Sequence, residues 1–195
     1  MFYLRRPQYL HRLAVHMPGI GTNSEGEGIL ETLSHSLTRL ETYTEMVDLI
    51  PQVGINMVYS KPSAKGVLDV AGLSGRVIES MGAPKVCGEV VFGGSQHLAL
   101  VVVELVKLEP GLRAAVNIKG RRHVAEALEG MGLDVVVLPP ARSEGCAVAD
   151  YIKEKRKIHD AYYHPGAFGI EPTTTIVAQD PDALVETLIE LSRLV

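Results

Sequence analysis

The chain has 195 residues, a formal net charge of −4 and 46% apolar residues, which suits one domain large enough to bury a full core. The small negative charge gives no electrostatic reason to expect nucleic acid or an anionic membrane as a partner. No apolar run approaches the roughly 18 residues of a membrane-spanning helix, and no secretory signal follows the N-terminal arginines. The two cysteines form no Cys-x-x-Cys pattern, so we expect a cytoplasmic protein in which both are buried as small apolar residues.

The first part of the chain predicts an N-terminal segment, residues 1–45, that ends in a helix and precedes a domain over 46–195. Residues 19–28 form a glycine-rich loop in this prediction, and we assign no role to residues 1–28. A helix follows over about 29–48, because leucines recur there at helical spacing, and Pro51 ends it. Residues 53–60 predict a strand and residues 63–68 a loop.

Residues 75–80 and 86–92 predict a β-hairpin around a turn that contains Gly82 and Pro84. Antiparallel folding about Pro84 places Arg76 roughly opposite Phe92. The segment Phe-Gly-Gly-Ser-Gln-His at 92–97 then opens a helix that continues to about residue 108.

Gly93, Gly94 and Ser95 therefore stand at a helix N-terminus, where unpaired N–H groups and the helix dipole attract anions such as phosphate. His97 lies in the first turn of that helix, and the planar fork of Arg76 suits phosphate oxygens. The sequence thus predicts one anion site from Arg76, His97 and the helix start. The alternative is an ordinary N-cap serine with a surface histidine beside it and an exposed strand-end arginine.

The second half of the chain alternates strands with helices. We predict strands at 113–119, 133–138 and 173–178, helices at 122–131 and 147–158, and a final helix to about residue 193 that Asp180 and Pro181 open. This alternation predicts at least one parallel strand pair, whereas the earlier hairpin predicts antiparallel pairing. Together they indicate a mixed sheet.

Five blocks of this sequence resemble the ThiN-type thiamine-phosphate synthase domain family. They are residues 50–56 (IPQVGIN), 69–71 with Gly75 and Arg76, 92–97, 113–119 (RAAVNIK) and 169–172 (GIEP). The blocks follow the family's order over about residues 45–195. The resemblance implies an α/β fold: a three-layer α/β/α sandwich with a mixed, largely antiparallel sheet, related to the class II aldolase/epimerase fold. It also implies that Arg76 and His97 are the catalytic pair.

The activity that the resemblance implies is a transferase in thiamine biosynthesis. It would join 4-amino-2-methyl-5-hydroxymethylpyrimidine diphosphate to 4-methyl-5-(2-phosphoethyl)thiazole, with diphosphate as the leaving group. We expect Arg76, the helix start at 93–97 and Mg²⁺ to take the diphosphate charge, and His97 to donate to the leaving oxygen. We also expect a homodimer.

Further candidate residues each have a structural alternative. Asp69 is a candidate substrate contact through a Mg²⁺ that it would bind together with the diphosphate, or else a turn cap. Glu171 is a candidate partner of the aminopyrimidine ring or a solvated loop residue. Asn56 and Asn117 are disfavoured in strands, so they either contact substrate or satisfy the backbone. Lys119 falls in one of the family blocks and is a candidate substrate contact.

Two rival functions come from different classes. The same domain serves without catalysis as the thiamine-phosphate-sensing half of repressors, and Gly94, Leu100 and Val106 depart from the synthase pattern. Against the sensor, we find no helix-turn-helix in the first 45 residues, and Arg76 and His97 are retained. A sugar-phosphate aldolase would need a zinc-binding histidine cluster, and the paired histidines here are five residues apart, which is not a helical zinc spacing.

Overall fold

The computed structural model describes residues 24–139 and 145–195, so the predictions for residues 1–23 lie outside the described residues. The helices in these ranges are α1 Ser24–Glu41, α2 Gln96–Leu108, α3 Arg122–Gly130, α4 Ala147–Lys155 and α5 Pro181–Ser192. The strands are β1 Met57–Ser60, β2 Val70–Leu73, β3 Arg76–Ser80, β4 Ala83–Cys87, β5 Val90–Phe92, β6 Ala114–Lys119, β7 Val135–Val137, β8 Ala161–His164 and β9 Thr173–Ala178. Short 3-10 helices cover Thr44–Leu49 and Val67–Asp69.

The main sheet of the described chain has seven strands in the order β5-β2-β1-β6-β9-β8-β7, and β3 pairs with β4 in a separate hairpin. β7 and β8 are parallel. Every other neighbouring pair in these described strands is antiparallel. The predicted mixed, largely antiparallel sheet is therefore confirmed. The parallel pair arises because α4 connects β7 to β8, as a crossover must.

Helices cover both faces of this sheet, because successive strand residues point to opposite sides. Met57 and Val116 belong to a core that α1, α5 and the first 3-10 helix close, whereas Val58 and Ala115 belong to a core that α2 and α4 close. The three-layer prediction is thus confirmed. α1 contributes fully buried leucines to the first core, and the predicted division at residues 45/46 stays a prediction.

The β3–β4 hairpin corrects the predicted register. Its turn is Met81-Gly82, whose positive φ values of 54° and 78° suit a two-residue hairpin turn. Arg76 therefore pairs with Cys87 rather than lying opposite Phe92, which pairs with Ala71 of the main sheet. At this end of the hairpin Gly75 lies against the Cys87 carbonyl, and a Cβ at residue 75 would sit 2.1 Å from that oxygen.

Several other bounds differ from the prediction. The helix predicted over 29–48 begins at residue 24 and ends at Glu41, where Thr42 bonds back to the Arg39 carbonyl through both its N–H and its hydroxyl. The strand predicted over 53–60 is shortened by Gly54, which has a positive φ of 76°. The strands β2 and β8 were not predicted.

The later elements were predicted well. β6, α3, β7, α4, β9 and α5 all fall within the expected ranges. Asp180 caps α5 as expected, with Oδ1 accepting from the Ala183 N–H at 2.9 Å. Both cysteines are half-buried rather than buried. Within the described ranges, no helix is both long enough and apolar enough to cross a bilayer.

Candidate active site

A cleft of about 680 Å³ opens where α2 begins. Arg76 of β3 and the Gly93–His97 segment line it together, and Asn56 and Asn117 lie in its wall. β8 and β9 add a second set of polar side chains, namely His164, Thr173 and Thr175. Arg76 and His97 thus share one cleft as expected, although the hairpin register that led us to expect it was wrong. Their catalytic roles remain predictions.

Close backbone packing fixes the position of the α2 N-terminus. Ser95 occupies the N-cap position in an extended conformation, and its side chain accepts no capping bond from the described residues. A Cβ at Gly94 would lie 2.3 Å from the Gly72 carbonyl oxygen, so this residue must be glycine in the present backbone. The first-turn N–H groups have no partners within the helix and lie at its positive end. This arrangement suits an anion.

Arg76 reaches the cleft from the end of the hairpin. Two backbone bonds between Ile55 and Val77, of 2.9 and 2.8 Å, fix the hairpin to the segment just before β1. Gly54 packs directly against the Arg76 side chain, because a Cβ there would lie 2.7 Å from Arg76 Cβ. The guanidinium itself is exposed, and its Nη1 donates to the Gly75 carbonyl at 2.6 Å. Most of its donors therefore remain available to a ligand.

Asn56 and Asn117 connect strands to one another. The Asn56 amide donates to the Leu73 carbonyl at 2.9 Å and accepts from the Leu73 N–H at 3.1 Å. The Asn117 amide accepts from the Asn56 N–H at 2.8 Å and donates to the Gly54 carbonyl at 3.0 Å. These bonds favour the alternative in which both amides satisfy the backbone. Substrate contact by either residue remains untested.

Lys119 and Glu171 line a neighbouring cavity of about 590 Å³ that also contains Arg121. The two carboxylate oxygens of Glu171 accept from the N–H groups of Gln52 and Val53 at 2.8 and 3.1 Å. Glu171 therefore holds the turn that carries Gly54 against Arg76. The expected contact of Glu171 with the aminopyrimidine ring stays a prediction.

Asp69 lies in a different environment from the rest of the predicted site. Its carboxylate accepts from the Lys65 N–H at 3.0 Å and from Lys61 Nζ at 3.2 Å. These bonds, the backbone one foremost, lower the pKa of Asp69. Among the residues that line the described cleft, Asp69 is absent, and no group of three His, Cys, Asp or Glu in the described ranges could hold a metal ion. The Asp69 carboxylate is thus already bonded to Lys61 and to the Lys65 N–H, and Mg²⁺ binding by Asp69 stays a prediction.

His164 is a cleft residue that the sequence reasoning missed, because the strand that carries it was missed. It is only 6% exposed. Its Nδ1 accepts from the Gly166 N–H at 3.1 Å, and burial lowers its pKa. The ring is therefore neutral with its proton on Nε2, and Nε2 has no hydrogen-bond partner within the described residues. The alternation of Tyr162 and His164 after α4 was the available signal for this strand.

The fold first defines a broad class. L-Fuculose-1-phosphate aldolase from Thermus thermophilus superposes with a TM-score of 0.51 and 17% identity, over 83% of this chain and 91% of its own. At that identity the likeness concerns the fold alone, and it confirms the predicted relation to the class II aldolase fold. The C-terminal domain of a phosphomethylpyrimidine kinase is more similar, with a TM-score of 0.75 and 30% identity over 85% of this chain and 98% of that one.

Sequence comparison then gives the family. The family described as thiamine-phosphate synthase ThiN matches residues 32–190, and the chain belongs to it. The thiamine-phosphate synthase ThiN of Methanothermobacter thermautotrophicus is 28% identical over 84% of this chain and 92% of its own length. The bifunctional thiamine biosynthesis protein ThiDN of Methanocaldococcus jannaschii is also 28% identical, over 86% of this chain but only 41% of its own length.

The three departures from the synthase pattern have different surroundings. Gly94 lines the cleft and is required by the Gly72 contact described above. Leu100 is exposed on α2, and Val106 is buried in the core that α2 and α4 share. Neither Leu100 nor Val106 is among the described residues that line the cleft, so these two departures do not alter its walls directly.

Proposed function

We propose that this protein acts in thiamine biosynthesis as a thiamine-phosphate synthase. It would condense 4-amino-2-methyl-5-hydroxymethylpyrimidine diphosphate with 4-methyl-5-(2-phosphoethyl)thiazole to give thiamine phosphate and diphosphate. The observation that carries the proposal is the shared cleft of Arg76, His97 and the α2 N-terminus in a chain of the ThiN family. The named relatives support the same pathway.

The first step in this proposal is loss of diphosphate. The bond between the pyrimidine methylene carbon and the ester oxygen breaks, and its electron pair leaves with the diphosphate. Negative charge grows on that oxygen, so donors fixed around it lower the barrier. Arg76 would bind two phosphate oxygens through its fork, and the first-turn N–H groups of α2 would bind others.

His97 would act on the same leaving group. It lies in the first turn of α2 with its side chain exposed to the cleft. From there it can donate a hydrogen bond or a proton to the departing oxygen. The proton would remain with the diphosphate or return to the ring when diphosphate is released.

The second step needs no protein nucleophile. The thiazole nitrogen attacks the methylene carbon with its own lone pair, and the new C–N bond leaves the positive charge on the thiazolium ring. The cleft's contribution is to hold the two substrates together in the reacting orientation. Its apolar lining, including Leu98, Val101 and Ile170, suits the flat rings of both substrates.

Mg²⁺ remains a proposal for this reaction. When bound with a diphosphate, Mg²⁺ supplies positive charge and oxygen coordination, often with few protein ligands. We place no step of the reaction through the metal.

The test is a direct assay of the purified chain with both substrates and Mg²⁺, in which thiamine phosphate is detected by mass spectrometry. We expect product with the wild type and a large loss of rate with Arg76→Ala and with His97→Asn. The surface variant His123→Asn serves as a matched control, because His123 is exposed on α3. Tight binding of thiamine phosphate without any turnover would instead support the sensing function.

A further inference from the structure

The cleft receives a second helix N-terminus besides that of α2. β7 and β8 are parallel and α4 connects them, so the start of α4 lies beside the carboxyl end of β8. His164 is the last residue of β8. Cys146, Ala147 and Val148 at the start of α4 line the cleft together with His164.

The first-turn backbone N–H groups of α4 are available as hydrogen-bond donors. Its N-cap residue, Cys146, is extended with φ −104° and provides no side-chain cap within the described chain. Burial raises the pKa of the Cys146 thiol, so the thiol is neutral, and sulfur is a weak acceptor for nearby N–H groups. The Cys146 thiol donates to the His97 carbonyl oxygen, with 3.5 Å between Sγ and that oxygen. The Val148 and Ala149 N–H groups face this sulfur, and a neutral thiol satisfies them only weakly.

His164 adds an independent sign of a ligand at this place. Its ring is neutral, its proton lies on Nε2, and this donor is unsatisfied by the described residues although the residue is only 6% exposed. A buried polar group without a partner is unfavourable. Such a donor beside a weakly capped helix N-terminus matches the needs of a phosphate oxygen.

His164 lies too far along the sheet from Arg76 for one diphosphate to bind both. The β3 hairpin is bound to the chain just before β1, while His164 belongs to β8, and β6 and β9 lie between them. Three strand intervals correspond to about 14 Å. The start of α4 itself lies beside the start of α2, since Cys146 Sγ is 3.5 Å from the His97 carbonyl oxygen. A ligand that uses both Arg76 and His164 must carry two well-separated anionic groups, or two ligands must bind.

We propose that the N-terminus of α4 and His164 Nε2 form a second anion subsite, which takes the phosphate of the thiazole substrate. The inference rests on the proposed function, which brings two phosphorylated substrates into one cleft. Arg76 and the α2 N-terminus hold the diphosphate of the pyrimidine. His164 and the first-turn N–H groups of α4 hold the single phosphate of the thiazole.

Two variants isolate these donors. His164→Asn keeps an atom that can replace Nδ1 as the Gly166 acceptor but removes the Nε2 donor, whereas His164→Gln keeps an N–H near the Nε2 position. Ala147→Pro removes one N–H from the first turn at a position where proline is well tolerated in helices. His123→Asn is the surface control.

Calorimetry should compare 4-methyl-5-(2-phosphoethyl)thiazole with its unphosphorylated alcohol. We expect the wild type to prefer the phosphorylated compound at least tenfold. We expect His164→Asn to weaken its binding about tenfold, Ala147→Pro several-fold, and His164→Gln less than His164→Asn. Affinity for the alcohol should change by less than twofold in all variants. Inorganic diphosphate should bind the two His164 variants as it binds the wild type, and should bind Arg76→Ala more weakly.

The two proposals fail in different ways. If the wild type makes thiamine phosphate but His164→Asn and Ala147→Pro keep the wild-type KM for the thiazole phosphate, the second subsite is wrong and the synthase function stands. If His164→Asn does not fold, Ala147→Pro and the preference of the wild type for the phosphorylated compound decide the question. If the wild type makes no product yet shows the preference and loses it in the variants, the subsite stands and the synthase function is wrong.

Discussion

Gly94 allows the most direct test of how the backbone positions the proposed site. A Cβ at this residue would lie 2.3 Å from the Gly72 oxygen, 2.7 Å from the Gly72 carbonyl carbon and 2.9 Å from the Leu73 carbonyl carbon. All three are backbone atoms of β2 in the main sheet, so no side chain can rotate away. Gly94→Ala therefore forces either β2 or the start of α2 to move.

The size of the effect follows from these distances. To reach even 3.0 Å, the shortest separation that real Cβ atoms show, the chain must move by about 0.7 Å. Overpacking of this kind costs about 1–3 kcal/mol of unfolding free energy. A misplacement of about 1 Å in the groups that hold a substrate lowers turnover by roughly 100-fold. We expect α2 to move rather than β2, because β2 is paired on both sides with β1 and β5.

Urea denaturation and the synthase assay measure the two effects on the same protein. Gly130→Ala is the matched control, since a Cβ at Gly130, the last residue of α3, meets nothing within 4 Å. We expect that control to be neutral or to stabilise by up to about 1 kcal/mol. Unchanged stability and unchanged turnover in Gly94→Ala would refute the argument, because they would show that the close contact with Gly72 does not exist.

Three further predictions concern other parts of the chain. Arg76→Ala should lower kcat/KM, because the variant loses several kcal/mol of transition-state stabilisation; charge-assisted bonds to a leaving group are strong. Arg76→Lys should recover only part of the lost kcat/KM in the same assay. Full recovery would show that the two-pronged guanidinium of arginine is not required. Asp180→Ala should destabilise the protein by about 1 kcal/mol in urea denaturation, because its carboxylate caps α5 through the Ala183 N–H; an unchanged midpoint would contradict this cap. The pKa of His164 is lowered by burial from its ordinary value of 6.5, so on acidification the unfolded chain binds a proton before the folded chain does. The free energy of unfolding should therefore fall as the pH drops below about 6.5, and it should fall less steeply in His164→Asn than in the wild type. Equal dependence of the unfolding free energy on pH in the two proteins would count against a neutral buried ring.

The sequence predicts those parts of the site whose signals are local. The start of α2 is marked by two glycines, a serine and a long apolar run, and each of these acts within a few residues. The cap of α5 is equally local, because Asp180 and Pro181 are adjacent. For the same reason the α4 helix and the strand β9 were predicted from their own residues.

Signals that depend on distant contacts were missed or misjudged. The register of Arg76 depends on the position of the hairpin turn at Met81-Gly82, which the strand propensities do not reveal. β8 has four residues and is specified by its pairing with β7 and β9. Without β8, the sequence places His164 in no element, so its buried ring and the second helix N-terminus stayed unconnected.

The position of β9 in the sheet has a consequence for biosynthesis. This strand comes late in the chain, yet it lies between β6 and β8 near the centre of the sheet. Until residues 173–178 have left the ribosome, β6 and β8 each present an unpaired edge, which is a template for aggregation. Thr173 and Thr175 are also missing from the cleft at that stage. The cleft is therefore complete only once almost all of the described chain has been made.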